Sequence, residues 1–351
     1  MFEPLMQGEE DITSWVKSSK VVDSITKLPG DASARKYYRV VCGEQTFIVM
    51  RMESFEQQGQ SLPFLIMQQH LKQNGVKVPE IYDVDPKNGL ILLEDLGDDT
   101  LLRCLQDVSN ADVERHLYER VLSDLIDLQL NSSPRNPANA GADLEAFRLK
   151  FDQEKLFWEM TNTIEHFYEK HLKRQIRDAD RKIMLDGFSE ICGFLAGLPT
   201  VLAHRDFHSR NIMVVSPAVG HPSVTANRLV MIDFQDARLG PVTYDLASIL
   251  KDSYYQLEED QVSHLLDYYV ARWEALTGER LSRAQFQYEF DMMSVQRNFK
   301  AIGSFASFLN RRGDATYLKY IGNTFENIRR TLLKYPKYSR LREALFHYYY
   351  F

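Results

Sequence analysis

His204-Arg-Asp-Phe-His-Ser-Arg-Asn211, followed twenty-two residues later by Asp233-Phe234-Gln235, is the stretch on which the reading of this chain turns. Asp206 stands on a loop ahead of a short apolar run, Ile212–Val215, where a carboxylate can face an acceptor hydroxyl. Asn211 lies five residues further on. Its amide oxygen suits a hard divalent cation, which takes oxygen ligands and completes its shell with water and phosphates. Asp233 ends the next apolar run, Leu229–Ile232, and supplies the main metal carboxylate. A base, an amide and a carboxylate in this order are the parts of a phosphoryl-transfer site. The pattern H-x-D-x-x-x-x-N also arises by chance, and loop Asp and Asn often only cap and turn. The Ile-Asp-Phe on its own strand raises it above that background. His204 reads as a buried histidine bracing the loop. His208 either points a partial positive charge at the transferred phosphate or hydrogen-bonds locally.

Working outward, the 351 residues suggest about two domains. Apolar and charged fractions are those of an ordinary globular protein. A net charge of −7 argues against nucleic acid or an anionic membrane surface as main partner, while leaving room for a local basic pocket. Cys42, Cys104 and Cys192 are scattered without CxxC spacing and read as packing residues in a reducing compartment. The opening MFEPLMQGEEDITSW has no basic segment and no apolar core, so no signal peptide is expected. No apolar run approaches the roughly 20 residues that span a bilayer. A cytoplasmic protein is the expectation. Nothing in the pattern specifies an oligomeric state.

Residues 9–20 suggest a short opening helix. Ser24–Leu28, Lys36–Val41 and Thr46–Met52 then read as strands, with turns at Gly30-Asp31 and Gly43-Glu44. Leu62–Asn74 carries an apolar helical stripe stopped by Gly75, and Pro79–Val84 and Gly89–Glu94 read as two more strands. Beyond Asp95-Leu96-Gly97 the period becomes helical, over Val113–Gln129, Leu144–Leu172, Arg177–Leu195 and from Tyr244 onward. The exception is a hairpin of Ile212–Val215 and Leu229–Ile232, beside the acidic motifs. The fold class is thus α+β, with a β-rich lobe over residues 1–95 and a larger helical lobe over residues 96–351. Clefts between such units commonly hold small molecules.

Two further stretches face that cleft in this reading. Gly30, Asp31, Ala32 and Ser33 form a small-residue turn whose N–H groups can approach phosphate oxygens, with Arg35 adding charge; a polar hairpin turn looks the same. Glu94-Asp95-Leu96-Gly97 is either a hinge whose backbone reads an adenine edge, with Leu92 and Leu93 lining the slot, or an ordinary linker. Asp245 is expected to cap a helix or to accept backbone N–H groups from the catalytic loop. Asp236 and Arg238 either face the acceptor or pair with each other.

HRDFHSRN followed by IDFQDARLGPVTYDLASIL resembles the aminoglycoside phosphotransferase and choline kinase-like superfamily, whose members share the bilobal protein-kinase fold. With LPGDASARKYYRV, VPEIYDVDPKNGLILLEDLGDDTL and MMSVQRNFKAIGSF, the chain is most similar to bacterial N-acetylmuramate/N-acetylglucosamine kinases, which phosphorylate the anomeric hydroxyl during cell-wall sugar recycling. The resemblance implies a small antiparallel-sheet lobe with one helix, Asp206 as base, and Asn211 and Asp233 as Mg2+ ligands. It implies Gly30–Ser33 at the phosphates and ATP, with GTP as the alternative, at the Glu94–Leu96 hinge. It also implies a sugar acceptor, for which Glu159, Asp236 and Arg238 are the candidate contacts. One departure is evident: Phe-Ile-Val-Met-Arg-Met puts Arg51 where a kinase lysine is expected, and Leu62–Leu71 offers that lysine's partner no glutamate. Two alternatives remain open, another hydroxylated acceptor such as an aminoglycoside or choline, and a non-catalytic nucleotide-binding module.

Overall fold

A computed structural model of the chain describes residues 12–16, 21–29, 35–216 and 227–350. The expected turn at Gly30, Asp31, Ala32 and Ser33 lies outside the described residues, as do the flanks of the opening helix.

Five strands form one antiparallel sheet in the order β1-β2-β3-β5-β4: β1 (Ser24–Lys27), β2 (Lys36–Cys42), β3 (Gln45–Arg51), β4 (Ile81–Asp85) and β5 (Leu90–Glu94). Strand side chains alternate between faces with period two. Phe47 and Val49 of β3 and Leu90 and Leu92 of β5 therefore meet Tyr38 and Val40 on the outer face, under Ile12 and Val16 of the opening helix. Ile48, Met50, Ile91 and Leu93 take the inner face with the helix Pro63–Gln73 and the main core. Gly89 closes the β4–β5 turn at φ 67°; a Cβ there would lie 2.2 Å from the Met52 carbonyl oxygen, so only glycine fits.

The large lobe is built on the helix Arg283–Arg312, which packs against Gln153–Thr163, Thr243–Leu250 and Ile321–Leu333. Its face is polar in sequence yet buried, with Asp291, Gln296, Arg297 and Asn298 nearly inaccessible. Two small antiparallel pairs lie at the lobe boundary. β7 (Ile212–Val215) with β8 (Arg228–Met231) is the expected hairpin, whereas β6 (Thr200–Ala203) with β9 (Arg238–Pro241) went unpredicted. Four-residue strands with little alternation leave no periodic signal. Leu144–Leu172 is not one helix: Glu145–Arg148 forms a single turn, Lys150 bridges to Leu239, and Gln153–Thr163 then runs on into a π-helical stretch, Ile164–His171. Long-range pairing with β9 overrides the local helical pattern there. Among the described residues, no helix is long and apolar enough to cross a membrane.

The central helix crosses Gln153–Thr163 at Gly303. A Cβ on Gly303 would lie 2.1 Å from Thr163 Oγ1 and 2.8 Å from its Cα, and Thr163 Oγ1 is itself fixed by donating to Phe299 O at 3.0 Å. Because backbone must shift to admit the methyl group, Gly303→Ala should destabilise the protein by about 1–3 kcal/mol. Urea unfolding checks this, with a lower midpoint at unchanged slope; an unaltered midpoint would mean the helices separate freely.

Candidate active site

The loop His204–Asn211 joins β6 to β7 and is held from below by two carboxylates. Asp245, fully buried, accepts the His204 N–H at 2.6 Å and the Arg205 N–H at 3.0 Å. These bonds hold Arg205 at φ 83°, a left-handed conformation that non-glycine residues adopt at a cost. Asp252, also buried, accepts the Ser209 N–H at 2.9 Å and its hydroxyl at 2.6 Å. The expected loop contacts of Asp245 are thus present. Asp252 was missed, since nothing in KDSYY separates it from a turn aspartate.

The chemistry-bearing residues meet at the seam. Asn211 Nδ2 donates to Asp206 O at 2.9 Å and lies 3.4 Å from Asp233 Oδ2. The amide and the carboxylate thus stand side by side, and a divalent ion here would be held by the Asn211 amide oxygen and the Asp233 carboxylate. Among the described residues no three His, Cys, Asp or Glu side chains could hold a metal alone. A donor set of one amide and one exposed carboxylate fits an ion that phosphates complete. Asp233 sits at φ 65°, and Gln235 Nε2 donates to its Oδ1 at 2.6 Å. Phe234 is buried and stacks on Phe64 with centroids 5.2 Å apart, tying this turn to the small-lobe helix.

A cavity of about 750 Å³ lies above these groups. Leu93, Glu94, Asp95, Leu96 and Gly97 form its back, and Asn211 and Asp233 its floor. Leu92 does not line it: alternation places that residue in the outer-face cluster. Arg51 fails for the same reason. Ile48 and Met50 of β3, with Met52 just past it, line the cavity wall in place of Arg51, so this wall is apolar. Two cations line the cavity among the described residues, Arg35 and Arg39. Arg39 is tied to the connector between lobes, its Nε 2.7 Å from Asp95 and its Nη2 2.9 Å from Asp98. The Glu94 carboxylate pairs with Arg228 of β8, and its N–H donates to Glu80 O at 2.9 Å. Asp95, Leu96 and Gly97 border the cavity without these ties to Arg228 and Glu80.

Asp206 is partly exposed and faces the large lobe. Lys300 Nζ lies 3.4 Å from its Oδ1 and Arg297 Nη2 4.0 Å away, both from the central helix. Burial alone would raise this carboxyl, but the charges of Lys300, Arg297 and Arg205 hold it far below the usual carboxylate range. Burial pushes the Lys300 ammonium down, against the pull of Asp206. Burial also pushes the His208 imidazole down to about 3. His208 is therefore neutral, edge-on to Tyr254 at 5.1 Å, and supplies no positive charge near neutral pH. The buried ring of His204 packs on Phe207 and makes no hydrogen bond among the described residues. Lys300 went unseen because eighty-nine residues separate it from Asn211.

Two smaller cavities adjoin Asp206. One of about 150 Å³ is lined by Asp206, His208, Arg297 and Lys300. The other, about 340 Å³, is lined by Lys155, Trp158, Glu159, Arg205 and Lys300. Glu159 is buried and accepts from Gln296 Nε2 at 2.9 Å. Asp236 pairs with Arg205 at 3.2 Å and not with Arg238. Arg238 stacks over Phe151 at 5.2 Å and lines none of the three cavities.

The phosphotransferase enzyme family model (APH) matches residues 24–285, and the chain belongs to that family. Within it, the chain is a small-molecule kinase, as its relatives' names are. It is 28% identical over 347 residues to an N-acetylmuramate/N-acetylglucosamine kinase of Neisseria meningitidis, covering 97% of this chain and 96% of that one. It is 30% identical over 323 residues to an identically named kinase of Pseudomonas aeruginosa, covering 90% and 86%. In fold it is similar to the choline kinase LicA from Streptococcus pneumoniae (TM-score 0.61, 13% identity, 94% and 100% covered), of which a complex with AMP is known. It is also similar to the aminoglycoside phosphotransferase of the gentamicin-APH(2")-IIa complex (TM-score 0.59, 14% identity, 93% and 97% covered). The bilobal protein-kinase-like fold is thereby established.

The depressed Asp206 pKa has a kinetic consequence. A carboxylate held below its unfolded value of about 3.9 stays ionised through the working range, so kcat/KM should show no acid limb from Asp206 above pH 5. Lys300→Met removes the largest counter-charge while burial keeps pushing upward and Arg297 and Arg205 remain, so the Asp206 pKa should rise and the acid edge of the profile should shift to higher pH than in wild type. A variant profile that superposes on wild type would remove Lys300 from this role.

Proposed function

We propose that the protein is an ATP- and Mg2+-dependent kinase that phosphorylates the anomeric hydroxyl of N-acetylmuramate and N-acetylglucosamine, a cytoplasmic step in cell-wall sugar recycling. The observation that carries this reading is the 3.4 Å approach of Asn211 to Asp233 on the floor of the interlobe cavity, with Asp206 on the acceptor side. The names of the Neisseria and Pseudomonas relatives support the acceptor, and the AMP complex of LicA supports an adenine nucleotide over GTP. In this reading the lobe boundary falls between residues 95 and 96.

Asn211 and Asp233 would hold the magnesium ion. Bound with the nucleotide, it neutralises charge on the phosphates and presents the phosphoryl group for transfer. The chain's own residues do the rest. Asp95–Gly97 and Leu93 receive the base. Arg35, beside Tyr37 and 5.7 Å from the Phe64 ring, takes the phosphate-binding part otherwise given to the lysine, while Met50 does not. Asp206 orients the acceptor hydroxyl and accepts its proton. Its low basicity suits a loose transition state, in which alignment matters more than early deprotonation. Lys300 and Arg297 keep it ionised.

The cavities beside Asp206 favour this acceptor over the alternatives. Arg205, Lys300 and Lys155 give an aminoglycoside's ammonium groups an unfavourable field. The aromatic group nearest His208 already holds a cation: Arg210 lies 5.1 Å from the Tyr254 ring and 5.3 Å from that of Tyr317, where a cage for choline would need space.

With ATP, Mg2+ and either sugar, 31P NMR should show a sugar 1-phosphate, and the 1-O-methyl glycoside should give none. Asp206→Asn should lower kcat by about 10²–10⁴ and leave ATP affinity within about twofold. Turnover of choline or an aminoglycoside but of neither sugar would transfer the assignment to those acceptors. ATP binding without turnover of any acceptor would make the protein a nucleotide-binding module.

A further inference from the structure

We propose that the cavity walled by Lys155, Lys300 and Arg311 beside Asp206 is a carboxylate-reading subsite, built for a hexose that carries an acid substituent, with Trp158 as the surface on which the sugar ring stacks. The inference rests on the sugar-kinase reading above and goes further by assigning residues to the part of the acceptor that does not react.

Position comes first. Lys300 and Ser304 line both small cavities, and the Lys300 ammonium is 3.4 Å from Asp206. Lys300 therefore links a ligand in the larger cavity to the catalytic carboxylate, which lines the smaller one. The volume of about 340 Å³ matches one amino sugar with a short substituent.

Charge comes second. The chain carries a net charge of −7, yet Lys155, Arg205, Lys300, Arg311 and Arg312 line this cavity against a single wall carboxylate, Glu159. Lys155 Nζ stands 3.9 Å from that carboxylate, and burial together with the nearby Arg205 and Arg238 charges lowers its pKa. Arg205 pairs with Asp236 and Lys300 with Asp206, so Lys155, Arg311 and Arg312 are the cations set against Glu159, which is also bound by Gln296. An incoming carboxylate removes this mutual repulsion, whereas a neutral sugar leaves it in place.

Shape comes third. Trp158 is 54% exposed, one of the most solvent-accessible large hydrophobic side chains described, and it lies on this cavity's wall. Lys155 Nζ sits 4.2 Å from its ring centroid. An exposed indole flanked by an ammonium offers an apolar face to pyranose C–H groups and a charge to the acid beside them. Glu159 remains as an acceptor for a sugar hydroxyl or the acetamido N–H.

The test compares an acid acceptor with neutral ones. Wild type, Lys155→Gln and Arg311→Gln are assayed with N-acetylmuramate, its methyl ester and N-acetylglucosamine. Both substituted side chains reach solvent, and thermal unfolding verifies that each variant remains folded. Each should raise KM for N-acetylmuramate and lower its kcat/KM relative to N-acetylglucosamine by about tenfold, with the ester following the neutral sugar. Trp158→Ala should lower kcat/KM for all three acceptors in parallel. If Lys155→Gln and Arg311→Gln leave the acid-to-neutral ratio unchanged while wild type turns over both sugars, the subsite is refuted and the kinase reading stands. If wild type phosphorylates neither sugar, both fall together.

Discussion

The Asp245 carboxylate accepts the backbone N–H groups of His204 and Arg205, and the site depends on that contact. It satisfies two donors at a place where the chain leaves β6 and cannot bond as a strand. It holds Arg205 at positive φ directly before Asp206, which faces Lys300 and Arg297 of the central helix. Burial raises the Asp245 pKa, while the His204 and Arg205 contacts oppose that rise. A buried carboxylate with two donors is stable only while those donors stay in place, so loop and helix Thr243–Leu250 constrain each other. Asp252 repeats the arrangement at Ser209.

On this base the protein builds opposite fields on the two sides of Asp206. Toward the small lobe lie Asp233 and the amide of Asn211, which suit a cation. Toward the central helix lie Lys300 and Arg297, which keep the Asp206 carboxylate ionised and line the cavity beside it. Phe234, stacked on Phe64, and the Glu94–Arg228 pair tie that arrangement to the small lobe. The same connector carries the Arg39 fork on Asp95 and Asp98, which orders the turn after β5. A chain that is acidic overall thus presents a cationic surface on one side of Asp206, because the central helix delivers its charges to one place.

Much of this was legible where local pattern decides. Period-two runs marked β2, β3 and β5 within a residue or two, and the hairpin of β7 and β8 followed from two short apolar runs around a loop. Legibility failed where distant pairing or facing decides. Leu144–Leu172 has a helical pattern but breaks at Lys150 because β9 claims it. Arg51 has the charge of a phosphate ligand, yet one step of strand alternation turns it away and brings Met50 in. Lys300 and Lys155 lie on helices whose apolar periodicity explains their neighbours, and nothing local marks their contact with the site.

The sequence alone placed Asp206 and Asn211 on one loop before β7 and Asp233 just past β8, because those strands pair as a local hairpin that brings its two ends together. It also determined the bilobal class, since apolar period is a local property. Only the tertiary structure decided which charges surround Asp206 and which side chains wall the cavities beside it. Those are contacts between helices far apart in the chain, and their geometry is set by packing across the core, at positions such as Gly303 against Thr163, and not by the residues that make use of it.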